Sequence, residues 1–374
     1  MSAPLIVSEE QEALGKTARE LAEKHAPLTR LRALRDAGDV DGYDRDLWAQ
    51  LAELGFTALP FSEDDGGFGL GLPEIAAVME GLGGTLAASP LLSLIVAGGL
   101  LADAGDHAQK AAWLPGLISG EVVVTLAWEE RRTRGEPRRV SMTAEAGPSD
   151  RGGFTLTGEK LGVLDGGAAD AFIVAARTAA GLGLFLVDSG ADGVAIAPLT
   201  RADGRGASDV RFTGAPAERL AVSPGGDSLA ALERALDHGR VALAAEMLGG
   251  MTAAFQTTVD YLKTRVQFGK PLGAFQVLQH RAVDCLVQIE LTRSTVLAAA
   301  RAAPAELPQL ASLAKARADE AFRQVADEAV QMHGGIGVTD ECDIGFYLKR
   351  ARVASHTFGD ARYHRARWAS LRGY

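Results

Sequence analysis

Between two stretches of helical periodicity, the chain reads Arg265-Val-Gln-Phe-Gly-Lys-Pro-Leu-Gly-Ala-Phe-Gln-Val-Leu-Gln279. This run places a guanidinium, a side-chain amide and an aromatic ring beside a Gly-Lys-Pro break. A guanidinium can bind a phosphate, an amide can hydrogen-bond to a base or a ribose, and an aromatic face can stack on a flat ring. The run therefore predicts a helix corner suited to a phosphate-bearing aromatic ligand.

The composition of the whole chain limits its class. The 374 residues suffice for one large domain or for two to three smaller ones. Hydrophobic residues make up 47% and charged residues 23%, which is typical of a globular protein. The net charge of −10 argues against a nucleic-acid partner.

One basic cluster stands out against this acidic background. Its simplest interpretation is a solvated loop, and contact with a phosphate-bearing ligand is the alternative. The cluster consists of Arg131, Arg132, Arg134, Arg138 and Arg139.

Cysteine content and the amino terminus bear on compartment. Cys285 and Cys342 are too few for a disulfide scaffold or a zinc site, and the histidines show no metal-ligand spacing. No basic stretch followed by a long apolar run opens the sequence, and the longest apolar stretch is too short to span a membrane. We expect a soluble cytoplasmic protein without a metal.

The periodicity of the chain predicts a helical domain over residues 1–120. Ser8 and Gln11 have the spacing of a capping box, Gly55 is a helix stop, and Pro73 falls in the first turn of a helix. Residues 121–222 switch to short β-rich segments separated by Gly, Asp and Pro. No helix of βαβ length and no Gly-x-Gly-x-x-Gly lies among them, so we predict an antiparallel barrel or sandwich.

Residues 223–374 return to helical periodicity. A helix capped by Asp227 or Ser228 is predicted to run to about Lys263, and two more long helices cover about 275–302 and 307–332. The last of these ends at a pair of glycines. Long helices with short joints predict an antiparallel four-helix bundle. The fold class is thus α+β and mostly α.

This architecture, together with Arg265-Val-Gln-Phe-Gly and Gln331-Met-His-Gly-Gly-Ile-Gly, resembles the acyl-CoA dehydrogenases, flavoenzymes that desaturate acyl thioesters. In that family the two motifs hold the adenosine and pyrophosphate half of FAD bound mainly by a neighbouring subunit. The resemblance therefore implies FAD-binding roles for Arg265, Gln267, Phe268, Gln331, Gly334 and Gly335. It also places Arg240 near the substrate, although a salt-bridged arginine of the bundle is the alternative.

The catalytic base of the family has no counterpart at either usual position. Where relatives have Tyr-Glu-Gly-Thr, this chain reads His356-Thr-Phe-Gly-Asp360, with Phe358 in place of the glutamate. The other position used by relatives holds Gly239. Glu246 and Asp360 are the nearest carboxylates in sequence, but an ion pair and a helix cap are the simpler roles for them.

The segment that matches the flavin-ring site also departs from the family. Relatives pack Trp-Ile-Thr on the flavin and bond to its N5 edge, whereas this chain has Gly162-Val-Leu164. Glycine removes the aromatic wall, and leucine cannot donate the hydrogen bond.

The altered positions are those that would contact the flavin ring and supply the base within one subunit. The two interface motifs, by contrast, are intact. This pattern suggests the subunit without a base in a heteromeric acyl-CoA dehydrogenase of fatty-acid or sterol breakdown. The expected partners are an acyl-CoA, a homologous subunit within a tetramer, and an electron-transfer flavoprotein or similar acceptor. A self-sufficient homo-oligomer with a relocated base, a flavin-free scaffold and an FAD enzyme with a non-thioester substrate are the alternatives.

Overall fold

The computed structural model describes residues 6–133, 135–147, 153–222 and 227–374. Its helices are α1 (Glu9–His25), α2 (Leu28–Ala37), α3 (Arg45–Glu53), α4 (Leu72–Gly83), α5 (Leu91–Ser93), α6 (Gly99–Ala104), α7 (His107–Ser119), α8 (Ser228–Thr264), α9 (Gln276–Ala300), α10 (Leu307–His333), α11 (Ile344–His356) and α12 (Ala361–Leu371). Its strands are β1 (Val124–Ala127), β2 (Thr143–Ala146), β3 (Phe154–Leu164), β4 (Ala171–Thr178), β5 (Gly181–Asp188), β6 (Val194–Pro198), β7 (Ala207–Arg219), β8 (Val266–Gln267) and β9 (Lys270–Pro271).

Local sequence signals set several of these bounds as predicted. The Ser8 side chain accepts the Gln11 N–H and the Gln11 side chain accepts the Ser8 N–H, which completes the capping box of α1. Helix α10 ends at His333, where Gly334 turns to a left-handed φ of 68°. Helix α8 runs over 37 residues, within one residue of the predicted end. No described helix is long and apolar enough to cross a membrane.

Two compact units divide the chain. One combines the chain up to Leu31 with Leu72–Ala87 and Arg240–Tyr374, and the other consists of Arg32–Gly71 and Ala88–Gly239. In the first unit α10 packs against α9, α11 and α12. Gly250 of α8 lets the Phe322 ring of α10 approach, since a Cβ atom at this glycine would lie 2.9 Å from that ring. The predicted helical bundle is thus present.

In the second unit, five strands close into a barrel in the order β4-β2-β3-β7-β5-β4, while β1 pairs with β4 and β6 with β7. Most pairs are antiparallel as expected. However, β1 runs parallel to β4, and a single residue pair, Thr143 with Arg177, joins β2 to β4 in parallel. The barrel core holds Leu156, Phe172, Val174, Phe185, Val210 and Phe212.

A buried ion pair joins the loop after β1 to β3. The Lys160 ammonium, fully buried on β3, lies 2.7 Å from the Glu130 carboxylate on the loop after β1. Glu130 also accepts hydrogen bonds from the backbone of Ser141 and Met142. Because removing one member of a buried pair leaves an uncompensated charge, loss of either partner should destabilise the barrel.

We expect Lys160→Met to lower the free energy of unfolding by about 3–5 kcal/mol, because Glu130 would stay buried without its cation. Calorimetric melting of the full chain measures this loss of unfolding free energy. As a control, Arg211→Met removes a surface pair in which Arg211 lies 3.3 Å from Glu159, and it should cost less than about 1 kcal/mol. Equal losses in the two variants would contradict the structural role of the buried pair.

Candidate functional site

The opening run forms a tight hairpin between α8 and α9. Strands β8 and β9 pair Gln267 with Lys270, which leaves Phe268 and Gly269 as the two loop residues. Both have left-handed backbones, with φ of 54° and 80°. Two positive φ values are typical of a type I′ turn, which favours Asn-Gly rather than an aromatic residue.

Phe268 therefore occupies a strained position at the tip of this hairpin. Its side chain is 89% exposed, and its ring meets Phe275 edge-on at 6.2 Å between centroids. Arg265 and Gln267 are also exposed. Backbone strain of this kind clusters at functional sites. The hairpin presents the three predicted FAD-binding side chains outward.

The second motif lies at the carboxyl end of α10. Gln331, Gly334 and Gly335 are exposed, and a Cβ atom at either glycine would meet open space. Tyr261, near the end of α8, stacks on His333 with 4.4 Å between ring centroids and donates its hydroxyl to the His333 carbonyl at 3.3 Å. This contact joins the end of α8, just before the first motif, to the end of α10, where the second motif lies.

Helix α9 is apolar on two opposite faces. Cys285, Ile289 and Val296 are buried in the first unit. Another stripe of apolar side chains at helical spacing is 43–57% exposed, and we call it the α9 outer face; its members are Val283, Leu286, Val287 and Leu291. A contiguous exposed apolar stripe is typical of an interaction surface.

Phe358 lies in a loop whose backbone is held by buried polar groups. Its φ is 59° and its side chain is 7% exposed. Its carbonyl accepts hydrogen bonds from Arg240 Nε at 3.2 Å and from His364 Nε2 at 3.0 Å. Arg240 is fully buried and so lies against the loop rather than on an open surface.

Helix α10 holds the same loop from another side. Lys315 Nζ donates to the carbonyls of Ser355 at 3.2 Å and Gly359 at 3.0 Å. Asp319 accepts the Ala361 N–H at 2.8 Å. Sequence reasoning missed these side chains, although Lys315 and Asp319 fall four residues apart on the apolar face of α10, which is an unusual place for charges.

Burial shapes the protonation of this cluster. Burial, together with the nearby Arg240, lowers the pKa of Lys315 to about 8 against the pull of Asp319. Burial and the positive charges of Arg240 and Lys315 hold the pKa of His364 well below its usual range. His364 is therefore neutral at pH 7, and its Nε2–H is the donor to the Phe358 carbonyl.

The two nearby carboxylates both have structural partners. Glu246 is buried and forms a bidentate pair with Arg350, with both N···O distances at 2.9 Å. Asp360 caps α12 by accepting the Tyr363 N–H at 2.8 Å. It also borders a polar cavity of about 480 Å³ that is lined by several arginines. Gly239 lies within α8 and supplies no side chain.

The segment expected to line the flavin ring is distorted. The pairing of β3 with β7 shifts register between Lys160 and Val163, and Gly162 there has a φ of 59°. Its N–H donates to Asp209 at 2.9 Å. A bulky residue at position 162 would meet open space but would need a left-handed backbone, which is costly for such a residue.

Comparison with known proteins agrees with this architecture. The family described as "Acyl-CoA dehydrogenase, N-terminal domain" matches residues 8–121, and "Acyl-CoA dehydrogenase, C-terminal domain" matches residues 228–370. The chain belongs to the acyl-CoA dehydrogenase family. It is thus a member of a family of FAD-linked oxidoreductases that act on CH–CH groups.

Individual relatives cover nearly the whole chain. Acyl-CoA dehydrogenase IpdE2 of Mycobacterium tuberculosis is 34% identical over 95% of this chain and 94% of its own. A variant of the Tcur3481–Tcur3483 steroid ACAD matches with a TM-score of 0.87 at 34% identity, covering 98% of this chain and 99% of that one. The ChsE4–ChsE5 complex from Mycobacterium tuberculosis matches with a TM-score of 0.90 at 28% identity over 99% of both chains.

The described residues fit one half of the family's cofactor better than the other. Arg265 and Phe268 offer a cation and a ring, and Gly334 and Gly335 leave their backbone open to a phosphate-bearing group. At the positions that the resemblance assigns to the flavin ring and the base, Leu164 has no side-chain donor and Phe358 has no proton acceptor in its side chain.

Relief of strain at the hairpin tip is measurable. We expect Phe268→Asn to raise the melting temperature of the isolated chain, because asparagine adopts a left-handed backbone at lower cost and such strain amounts to about 1–3 kcal/mol. Val266→Asn is the control, since Val266 is also exposed, at 54% against 89% for Phe268, and has no positive φ. A lower stability of Phe268→Asn than of the control would contradict the strained turn.

The Lys315 contacts give the protein a characteristic pH dependence. The folded pKa of Lys315 is about 8, below the unfolded value of roughly 10.4. Between these values the unfolded chain holds a proton that the folded chain has lost, so this group makes stability rise with pH. Relative to Lys315→Met, the wild type should gain roughly 1.4 kcal/mol per pH unit across this window, as measured by urea unfolding.

The exposed Lys16 provides the control for this experiment. Its side chain is 73% exposed and lies 3.8 Å from Glu20, so Lys16→Met should leave the pH profile of stability unchanged. Parallel profiles for the wild type and Lys315→Met would contradict the burial of the Lys315 ammonium.

Proposed function

We propose that this chain is the subunit without a catalytic base in a heteromeric acyl-CoA dehydrogenase. In this proposal it completes the FAD site of a homologous partner, and the assembly desaturates an acyl-CoA thioester. The observation that carries the proposal is the loop at Phe358. There a buried aromatic side chain replaces a carboxylate, and buried polar groups fix the backbone around it.

The partners of the remaining carboxylates support this assignment. A general base must reach the proton that it removes and must be free to accept it. Glu246 is neutralised by Arg350 through two hydrogen bonds, and Asp360 uses an oxygen to cap α12. Proton abstraction is therefore assigned to a carboxylate of the partner.

The two interface motifs define what this chain contributes. Arg265 would neutralise a phosphate of the cofactor, and Phe268 would pack against a flat part of it. Gln331 would hydrogen-bond, and the open backbone at Gly334 and Gly335 would let N–H groups approach the pyrophosphate. In the assembly these residues would hold FAD, which would supply the hydride acceptor for the acyl chain and the link to an electron-transfer flavoprotein or similar acceptor.

The α9 outer face supports an assembly of homologous chains. Its four apolar side chains would leave water on subunit contact, at roughly 25 cal/mol per Å² of buried apolar surface. The names Tcur3481–Tcur3483 and ChsE4–ChsE5 each join two proteins, which agrees with a second, different chain. The word steroid in the first name favours a bulky, sterol-derived acyl-CoA as the substrate.

Flavin content tests this proposal. We expect the chain purified alone to be colourless, and the chain co-expressed with its homologous partner subunit to be yellow and active. An alternative, self-sufficient enzyme would retain FAD alone and would be bleached by an acyl-CoA under anaerobic conditions. That result would overturn the heteromeric proposal.

Variants of the interface motif sharpen the same experiment. Arg265→Ala in the co-expressed assembly should lower FAD affinity by roughly tenfold or more, because a charge-assisted contact to phosphate is lost. Arg19→Ala removes another exposed arginine, on α1, and should leave the visible spectrum unchanged. Equal FAD affinity in both variants would remove Arg265 from the cofactor site.

A further inference from the structure

Beyond the residues assigned above, exposed arginines gather in two places. One is the loop between β1 and β2, where Arg134 lies outside the described residues and the exposed members are Arg131, Arg132, Arg138 and Arg139. The other is a polar cavity of about 480 Å³ between α10, α11 and α12. All three helices contribute arginines to this cavity, namely Arg323, Arg352, Arg362 and Arg365.

Several carboxylates around the cavity have partners within the chain. Glu320 lies 2.6 Å from Arg365, which joins α10 to α12. Asp327 lies 2.9 Å from Arg352, which joins α10 to α11. Asp360 accepts the Tyr363 N–H as the cap of α12. These contacts account for two of the four arginines and for the acids that pair with them.

The other two arginines have no such partner. Within residues 6–133, 135–147, 153–222 and 227–374, no carboxylate pairs with Arg323 or Arg362, and both side chains are exposed. Since these guanidiniums border one cavity, they form a local positive site in a chain of net charge −10.

A buried acceptor in the same cavity is also left over. Asp319 is fully buried and lines the cavity, and its Oδ2 accepts the Ala361 N–H at 2.8 Å. Its Oδ1 has no hydrogen-bond partner in the described part of the chain. Buried polar atoms are normally satisfied. The cavity thus holds two cations and one acceptor that the chain's own described side chains do not satisfy.

The cavity continues the face of α10 that carries an interface motif. Gln331, Asp327 and Glu320 follow one another at spacings of four and seven residues, which places them on one stripe of this helix. The proposed function turns Gln331 toward a partner subunit. The charged pairs and the cavity that flank the same stripe therefore face that subunit as well.

We propose that this cavity selects an unlike partner subunit by charge, with Arg323 and Arg362 binding carboxylate side chains of that subunit. The inference rests on the proposed function, which supplies the partner. Two identical chains related by a two-fold axis present the same patch to each other. Four unpaired guanidiniums would then meet at one interface, and such like charges oppose association. An unlike chain can carry acids at this place, so the cavity favours the mixed pair.

Dissociation of the co-expressed assembly, followed by mass photometry over a dilution series, tests this selection. We expect Arg323→Glu with Arg362→Glu to weaken the assembly by roughly tenfold or more, because two attractive contacts become repulsive. Arg323→Gln with Arg362→Gln should lie between this variant and the wild type. Added salt should weaken the wild-type assembly more than that of the glutamine variant.

Three controls separate charge at the cavity from other effects. Arg19→Glu with Arg211→Glu changes the net charge equally on exposed residues of α1 and β7, and should leave the assembly intact. Arg323→Lys with Arg362→Lys keeps both charges and should keep most of the affinity. The melting temperature of the isolated chain should be the same for the wild type and the glutamine variant, since neither arginine has an ionic partner in the described chain.

Three outcomes would overturn the inference. The first is equal affinity for the wild type and the charge-reversed variant, and the second is an equal loss in the Arg19→Glu, Arg211→Glu control. The third is an unchanged assembly combined with weaker binding of inorganic phosphate, which would assign the cavity to a small anion. Each of these leaves the heteromeric function standing, whereas a wild-type chain that forms no assembly with a homologous subunit would overturn both.

Discussion

Hydrogen bonds from buried polar side chains fix the loop from Ser355 to Ala361, and the region around Phe358 depends on them. Arg240, Lys315 and His364 each donate to a loop carbonyl, and Asp319 accepts a loop N–H. Breaking any of these bonds would strand a buried polar group, at a cost of about 1–3 kcal/mol. The loop is therefore held in one conformation, and the residue at its centre decides what chemistry is available there.

That residue is Phe358. The loop around it and the two family motifs differ in exposure. The Phe358 side chain is buried, whereas Arg265, Gln267, Phe268, Gln331, Gly334 and Gly335 are exposed. Phe268 is 89% exposed and has a left-handed backbone, a combination that costs stability in an isolated chain. The α9 outer face is also exposed and apolar, which is typical of an interaction surface.

Sequence reasoning anticipated the features that depend on neighbours along the chain. The Ser8 capping box and the ends of α8 and α10 follow from local signals, whereas the break after Arg265 was predicted only as a helix corner and not as a hairpin. The parallel pairing of β1 with β4 and the grip on Phe358 depend on residues distant in sequence, so local patterns could not predict them. The left-handed φ at Gly162 likewise depends on a register shift between β3 and β7.

Flavin stoichiometry in the purified assembly tests the central claim most directly. If this chain completes a partner's FAD site and holds no flavin ring of its own, the protein should contain one FAD for every pair of unlike chains. Absorbance of the released flavin, set against the protein concentration, gives that ratio. Two FAD for every pair, both reduced by acyl-CoA, would show that this chain holds a working flavin and would contradict the account.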